Sequence, residues 1–112
     1  MKNYIMAIYD EHVAKSCMKK MWQISQQIDN CLETMRVLKE NDNNADFEEI
    51  LIEAVSLAKD FNNKLDSLKK VDLEVWQKNG NRIKNRVCLT LIGIRDEYKQ
   101  LKLLDNQNMQ RA

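Results

Sequence analysis

Histidine, closely spaced carboxylates and cysteines are the side chains in this 112-residue sequence that could take part in chemistry. His12 is the only histidine, and it follows Asp10 and Glu11. A metal site needs several converging ligands, and a di-iron helical bundle needs Glu-x-x-His pairs from different helices. Glu49 and Glu53 lie about one helical turn apart, with no second carboxylate pair on an apolar face. Both features are typical of a solvated helix surface, so the sequence predicts no metal and no cofactor.

The cysteines are odd in number and fall at apolar positions, without a histidine to activate them as nucleophiles. They are Cys17, Cys31 and Cys88. We therefore expect three buried, reduced thiols in a cytoplasmic protein. The sequence also lacks a glycine-rich phosphate loop, a G-x-S-x-G motif and a C-x-x-C motif. Together these features predict that the chain is not an enzyme and has no small-molecule substrate.

A basic cluster around Gly80 is the best candidate for nucleic-acid binding. It consists of Lys78, Arg82, Lys84 and Arg86. A helix that begins with basic residues just after a glycine turn loosely resembles a helix-turn-helix recognition element. The spacing is not specific, however, and a net charge of +1 gives no general attraction to nucleic acid or to an anionic membrane. Basic residues on a solvated helix are the simpler interpretation, and nucleic-acid binding is the alternative.

Long helices must position all of these side chains. The sequence has no proline and only two glycines, so it lacks the frequent turn residues that sheet proteins need. In the first third, apolar residues alternate spacings of three and four. These residues are Ala14, Cys17, Met21, Ile24, Ile28, Cys31, Met35 and Leu38. The pattern predicts a first helix over about residues 3–40 that presents one apolar stripe to neighbouring helices.

A polar segment at residues 41–44 predicts the first turn, and Asp46 with Glu49 resembles a capping box for a second helix over about 46–78. The second stripe comprises Phe47, Leu51, Ala54, Ala58, Phe61, Leu65 and Leu68. After Leu68 the register slips. We therefore expect an irregularity at residues 69–72, where Asp72 could cap a separate short helix.

Asn79, Gly80 and Asn81 predict the second turn, with Gly80 as the left-handed residue after a helix end. A third helix should follow over about residues 82–104. Its stripe comprises Ile83, Val87, Leu91, Ile94, Tyr98 and Leu101. Residues 105–112 are polar and should form a tail.

Three helical patterns predict an all-α fold over residues 1–104. Because two short turns join them, the three long helices should form an antiparallel up-down-up bundle with coiled-coil-like heptad packing. Folding the chain at both turns would place Trp22, Phe61 and Tyr98 in one layer. At about 1.5 Å per residue, the third helix would be roughly 35 Å long and the first roughly 55 Å. The third helix would therefore end before the 41–44 turn and leave that end of the hairpin uncovered, unless the polar tail folds back over Met35 and Leu51.

An uncovered apolar stripe usually marks an interface. The candidate partner-binding residues are Met35, Leu38, Phe47 and Leu51 at the hairpin end, with Tyr4 and Ile8 as a second surface. Methionines on the first helix favour this interpretation, because flexible thioethers adapt to a partner. We expect a non-enzymatic protein–protein interaction module: an adaptor, an export chaperone or a small subunit of a coiled-coil assembly, acting as a homodimer or in a hetero-complex. No apolar run approaches the roughly 20 residues of a membrane span. The alternative is a small nucleic-acid-associated regulator.

Overall fold

The computed structural model describes residues 4–41 and 46–111, with side chains described within 9–41 and 46–103. This part of the chain is almost entirely helical and contains no strand. Three long helices contact one another: α1 (Tyr4–Glu40), α2 (Phe47–Val71) and α4 (Asn81–Arg111). A short helix, α3 (Leu73–Val75), and a π-helical turn (Trp76–Gly80) connect α2 to α4. The prediction of an all-α fold is confirmed.

The core is built from the apolar stripes of the three long helices. Its buried residues are Ala14, Cys17, Met21, Ile28, Cys31 and Met35 of α1, Phe47, Ala54, Phe61, Leu65 and Leu68 of α2, and Ile83, Val87, Ile94 and Leu101 of α4. All of them belong to the stripes that the sequence predicts. Ser25 is also buried, and its hydroxyl donates a hydrogen bond to the Trp22 carbonyl at 2.8 Å. The burial of a polar group is tolerated here because its hydrogen bond is made.

The chain leaves its helical path at Asp72, where φ is −148° and ψ is 91°. The Asp72 amide donates to the Leu68 carbonyl at 2.8 Å, which ends α2. Its carboxylate accepts a hydrogen bond from the Val75 amide at 3.1 Å, which begins α3. The predicted irregularity and the predicted cap at Asp72 are confirmed. At the other end of α2, Asp46 makes no side-chain cap hydrogen bond, so the predicted capping box is wrong.

The predicted turn at residues 79–81 is wrong, because the chain passes through this segment in helical conformation. The Asn81 amide donates to the Trp76 carbonyl, closing a π-helical turn, and Asn81 has φ −64° and ψ −35°. Gly80 is buried, and a Cβ atom there would lie 3.3 Å from Leu68 Cδ2. The glycine allows α2 to approach closely, and it does not serve as a left-handed residue at a helix end.

The helical segments that follow Asp72 are together longer than the predicted third helix. After Asp72 the chain runs through segments of 3, 5 and 31 residues, which together match the 37-residue α1. The expected bounds of 82–104 are too narrow at both ends, and α4 continues to Arg111 through the segment expected to be a tail. The molecule is a rod of 71 × 17 × 16 Å.

Hydrogen bonds fix how α4 lies against α1. The Asp29 carboxylate accepts from Arg86 and from the Thr90 hydroxyl, both at 2.8 Å. Farther along both helices, Lys39 Nζ donates to Glu97 at 3.0 Å. Higher residue numbers in α1 therefore meet higher numbers in α4, and α4 follows α1 as far as the hairpin end.

The other side of α4 meets the start of α2. The Tyr98 hydroxyl donates to Glu48 Oε1 at 2.8 Å. Glu48 precedes Phe61 by more than three helical turns, so Tyr98 does not join Phe61 and Trp22 in the predicted layer. The error has a simple cause: the chain reverses direction at Asp72, eight positions before the glycine that the prediction used.

Candidate functional site

The hairpin end, which the sequence predicts to be an uncovered interface, is covered by α4. Met35 and Phe47 are 0% exposed, and Leu38 and Leu51 are partly buried. The side chain of Glu97 lies over this end and pairs with α1. The exposure on which this predicted interface rests is therefore not found, because the chain leaves α2 at Asp72, earlier than expected, and α4 reaches the hairpin end.

The second predicted surface cannot be placed. Tyr4 begins α1, but the side chains of Tyr4 and Ile8 lie outside those that the structure describes. Tyr9, the next described side chain, is 61% exposed. This surface stays a prediction.

The basic cluster is divided rather than gathered on one face. Lys78 pairs with Glu74 at 3.1 Å, within its own turn of helix. Arg86 pairs with Asp29 and lies 5.0 Å from the centroid of the Trp22 ring.

The two remaining cations of that cluster do not share a face. Arg82 and Lys84 are two residues apart and therefore about 200° apart around α4. Arg82 lines a shallow cavity of about 380 Å³ beside Trp22, together with Arg86. The structure thus brings Arg82 and Arg86 together and leaves Lys84 on the opposite side of the helix.

The thiols and the histidine show no catalytic arrangement among the described residues. Cys17 and Cys31 are buried as predicted, whereas Cys88 is exposed, which corrects the prediction for that residue. Burial, and secondarily the charge of Glu53, raises the pKa of the Cys31 thiol. His12 is exposed, and the described residues contain no group of three or more potential metal ligands.

A groove of about 770 Å³ lies between the start of α1 and the hinge at Asp72. It is lined by Asp10, Glu11, Ala14, Lys15, Met18, Val71, Asp72, Leu73, Val75 and Asn79. Its polar groups serve local structure: Lys15 pairs with Glu11 at 3.3 Å, and the Asp72 carboxylate caps α3. Leu73, at its rim, is 52% exposed. Lys15, Glu11 and Asp72 are thus already engaged within the chain.

Exposed aliphatic side chains occur on both α2 and α4, two helices that contact each other. Leu51, Ile52 and Val55 line a shallow cavity of about 290 Å³ on α2, and Ile52 and Val55 are 67% and 48% exposed. Ile92 of α4 is 45% exposed, and Cys88 precedes it by about one turn. We call these five residues the α2–α4 groove.

Contacts at both ends of the groove set its register. At one end Glu48 of α2 bonds to Tyr98 and lies 3.7 Å from Lys102 of α4. Val55 follows Glu48 by two turns on the same helix face. At the other end, Leu65 and Leu68 of α2 lie close to Gly80, just before α4. Moving two turns along α2 from Glu48 toward Leu65 therefore corresponds on α4 to moving from residues 98–102 to about 91–95. From this spacing we infer that Val55 and Ile92 lie at a similar height along the bundle.

The ends of the groove are closed by different interactions. At the Glu48 end, a side-chain hydrogen bond with Tyr98 is the main cause that raises the pKa of Lys102, and Glu48 adds to it. At the hinge end, Leu65 and Leu68 approach Gly80 closely. Between these ends, the aliphatic side chains remain accessible.

Sequence reasoning missed this groove, although its residues were visible. Val55, Cys88 and Ile92 flank the predicted stripes and look like positions that only widen the core face. The useful signal is that they lie on two helices that are neighbours in the fold. That signal requires the correct register, which depends on the reversal at Asp72.

No helix in the described part of the chain is both long enough and apolar enough to cross a membrane. Comparison with known proteins gave no match to a family model, to a curated protein or to a solved structure.

Proposed function

We propose that this chain is a non-enzymatic protein–protein interaction module that binds a helix of a partner in the α2–α4 groove. The observation that carries the proposal is the exposure of Ile52, Val55 and Ile92, at 67%, 48% and 45%, on two helices that contact each other. A contiguous set of exposed aliphatic side chains is typical of an interaction site, whereas single exposed ones need no explanation.

The packing of the helices supports this binding mode. From the pairings of α1 with α4 and of α2 with α4, we infer an up-down-up bundle with heptad-like packing. In such a bundle α1 packs against both other long helices, and the opposite side between α2 and α4 stays open. A fourth helix in that position would complete a four-helix bundle, which is the helix-in-groove mode of recognition.

An adaptor, an export chaperone and a small subunit of a coiled-coil assembly would all use this mechanism. We propose this class, with a cytoplasmic location and with assembly into an oligomer or hetero-complex. The nucleic-acid alternative has less support, because Lys78 and Arg86 are paired with carboxylates and Lys84 faces away from Arg82.

The test compares the wild-type protein with Val55→Asp and with the control Leu73→Asp, which places the same charge on another exposed apolar position. Size-exclusion chromatography with light scattering over a concentration series reports self-association, and affinity purification with mass spectrometry reports partners. We expect a complex that Val55→Asp disrupts and Leu73→Asp preserves, with unchanged helicity in both variants. A strict monomer with no partner would contradict the proposal, and so would a complex whose formation Val55→Asp does not change.

A further inference from the structure

The rim of the α2–α4 groove is basic. We propose that the groove binds an acidic amphipathic helix of another protein, with its apolar stripe on Val55 and Ile92 and its carboxylates on the rim. This inference rests on the proposed function and adds the chemistry of the partner. The rim cations are Lys59 of α2 and Lys84, Arg95 and Lys99 of α4.

Helical spacing places these cations beside the aliphatic residues of the groove. Lys59 follows Val55 by one turn and lines the same cavity. Arg95 and Lys99 follow Ile92 by three and seven positions, so they share its side of α4.

Acidic residues about one helical turn from the exposed aliphatic side chains include Glu49, three positions before Ile52, and Asp96, four positions after Ile92. Lys59, Lys84 and Lys99 have no ion-pair partner among the described residues. Arg95 lies 3.5 Å from Asp96, but both side chains are more than half exposed, and such pairs contribute little.

The acidic residues of α2 on this side lie at its ends. Glu48 is already engaged by Tyr98 and Lys102, and Asp66 lies two turns beyond Lys59, toward the hinge. The chain as a whole carries a net charge of only +1, whereas Lys59, Lys84, Arg95 and Lys99 outnumber Asp96, the acidic residue of α4 nearest to Ile92.

This charge distribution favours a different protein over a second copy of the chain. If two copies met through this groove, Lys59, Arg95 and Lys99 of each would face cations of the other, and like charges across an interface oppose association. An acidic helix removes that repulsion. Its apolar residues would recur at i, i+3 or i+4, and i+7, with Asp or Glu on both flanks.

The experiment uses the full chain and two synthetic amphipathic helices that share one leucine stripe. One peptide carries only glutamates on its flanks and the other only lysines. Fluorescence anisotropy, measured over a salt series, should show binding of the acidic peptide, weakened by salt, and much weaker binding of the basic one. Equal binding of the two peptides, preference for the basic one, or no binding of the acidic one at millimolar concentration overturns the inference.

Val55→Lys separates groove binding from general attraction between charges. It adds a positive charge and removes an apolar anchor, so a purely electrostatic contact would become tighter, whereas a helix in the groove should bind more weakly. The exposed position of Val55 keeps the fold intact, which circular dichroism checks. Tighter binding of the acidic peptide to Val55→Lys would also overturn the inference.

Charge reversal on the rim gives the complementary measurement. The double variant Arg95→Glu, Lys99→Glu should raise the Kd of the acidic peptide about tenfold or more, and a factor of ten corresponds to about 1.4 kcal/mol. Lys19→Glu with Lys20→Glu makes the same change in net charge on exposed positions of α1 and should have little effect. If both double variants weaken binding equally, the rim has no special role and the inference fails. Self-association that depends on Val55, or a partner segment that is basic, would refute the acidic partner while leaving the proposed function in place.

Discussion

Met35→Ala tests whether α4 covers the hairpin end. The Met35 side chain is 0% exposed and belongs to the core, although the sequence alone predicts it to be an exposed anchor. Truncation removes its buried apolar atoms and leaves a cavity, which costs about 2–5 kcal/mol for a methionine in a core. A small domain has only about 5–15 kcal/mol of stability, so the loss is large. For a chain of this size it corresponds to a decrease in Tm of roughly 10–20 °C.

The matched control is Val37→Ala, two positions away on the same helix, where the valine is 45% exposed. Val37→Ala should change the free energy of unfolding by no more than about 0.5 kcal/mol, as for most surface substitutions. Urea unfolding followed by far-ultraviolet circular dichroism gives both values. If Met35→Ala costs less than about 1 kcal/mol and instead dissociates an oligomer, Met35 is an exposed anchor after all and the coverage by α4 is refuted.

Three further predictions concern the thiols, the hinge and a helix contact. Cys88 should react with a thiol reagent in the native protein, whereas Cys31 should react only on unfolding. Burial raises the pKa of the Cys31 thiol above its ordinary value of 9.0. The contribution of Cys31 to the free energy of unfolding is therefore complete below that pH and is lost as the pH rises beyond it, which urea unfolding at alkaline pH measures. Asp72→Ala should cost about 1 kcal/mol through loss of the cap, whereas Asp72→Asn should cost much less, and equal values in urea unfolding would contradict the capping role. A Cβ at Gly93 would lie 3.0 Å from Leu32 Cδ2, so Gly93→Val should be less stable than Gly93→Ala by more than the roughly 0.7 kcal/mol that helix propensity alone explains. A smaller difference in urea unfolding would show that α1 and α4 are not in such close contact.

Much of the fold could be predicted from the sequence, because apolar spacing is a local signal. The buried residues of α1 all fall on the stripe of alternating threes and fours, and Asp72 was recognisable as a possible cap after the slip in register. These features depend on residues a few positions apart, which the sequence displays directly.

The position of the second reversal could not be predicted, because Asn79, Gly80 and Asn81 suit a turn and a close helix contact equally well. Which role Gly80 has depends on Leu68, a residue on another helix. The error of eight positions then propagated through the register. As a result, the predicted third helix is too short and the predicted hairpin end is uncovered. The residues of the α2–α4 groove are not recognised, because they become neighbours only in the correct alignment.

Site-specific photocrosslinking tests most directly whether the α2–α4 groove is the binding surface. A photoreactive amino acid is placed at Val55, at Ile92 or at Val37, all of which are exposed, in cells that express the protein. Val55 and Ile92 should crosslink to the same segment of one partner, and Val37, near the hairpin end, should not. Crosslinks from Val37 alone, or from all three positions without a common partner, would contradict the proposed binding surface.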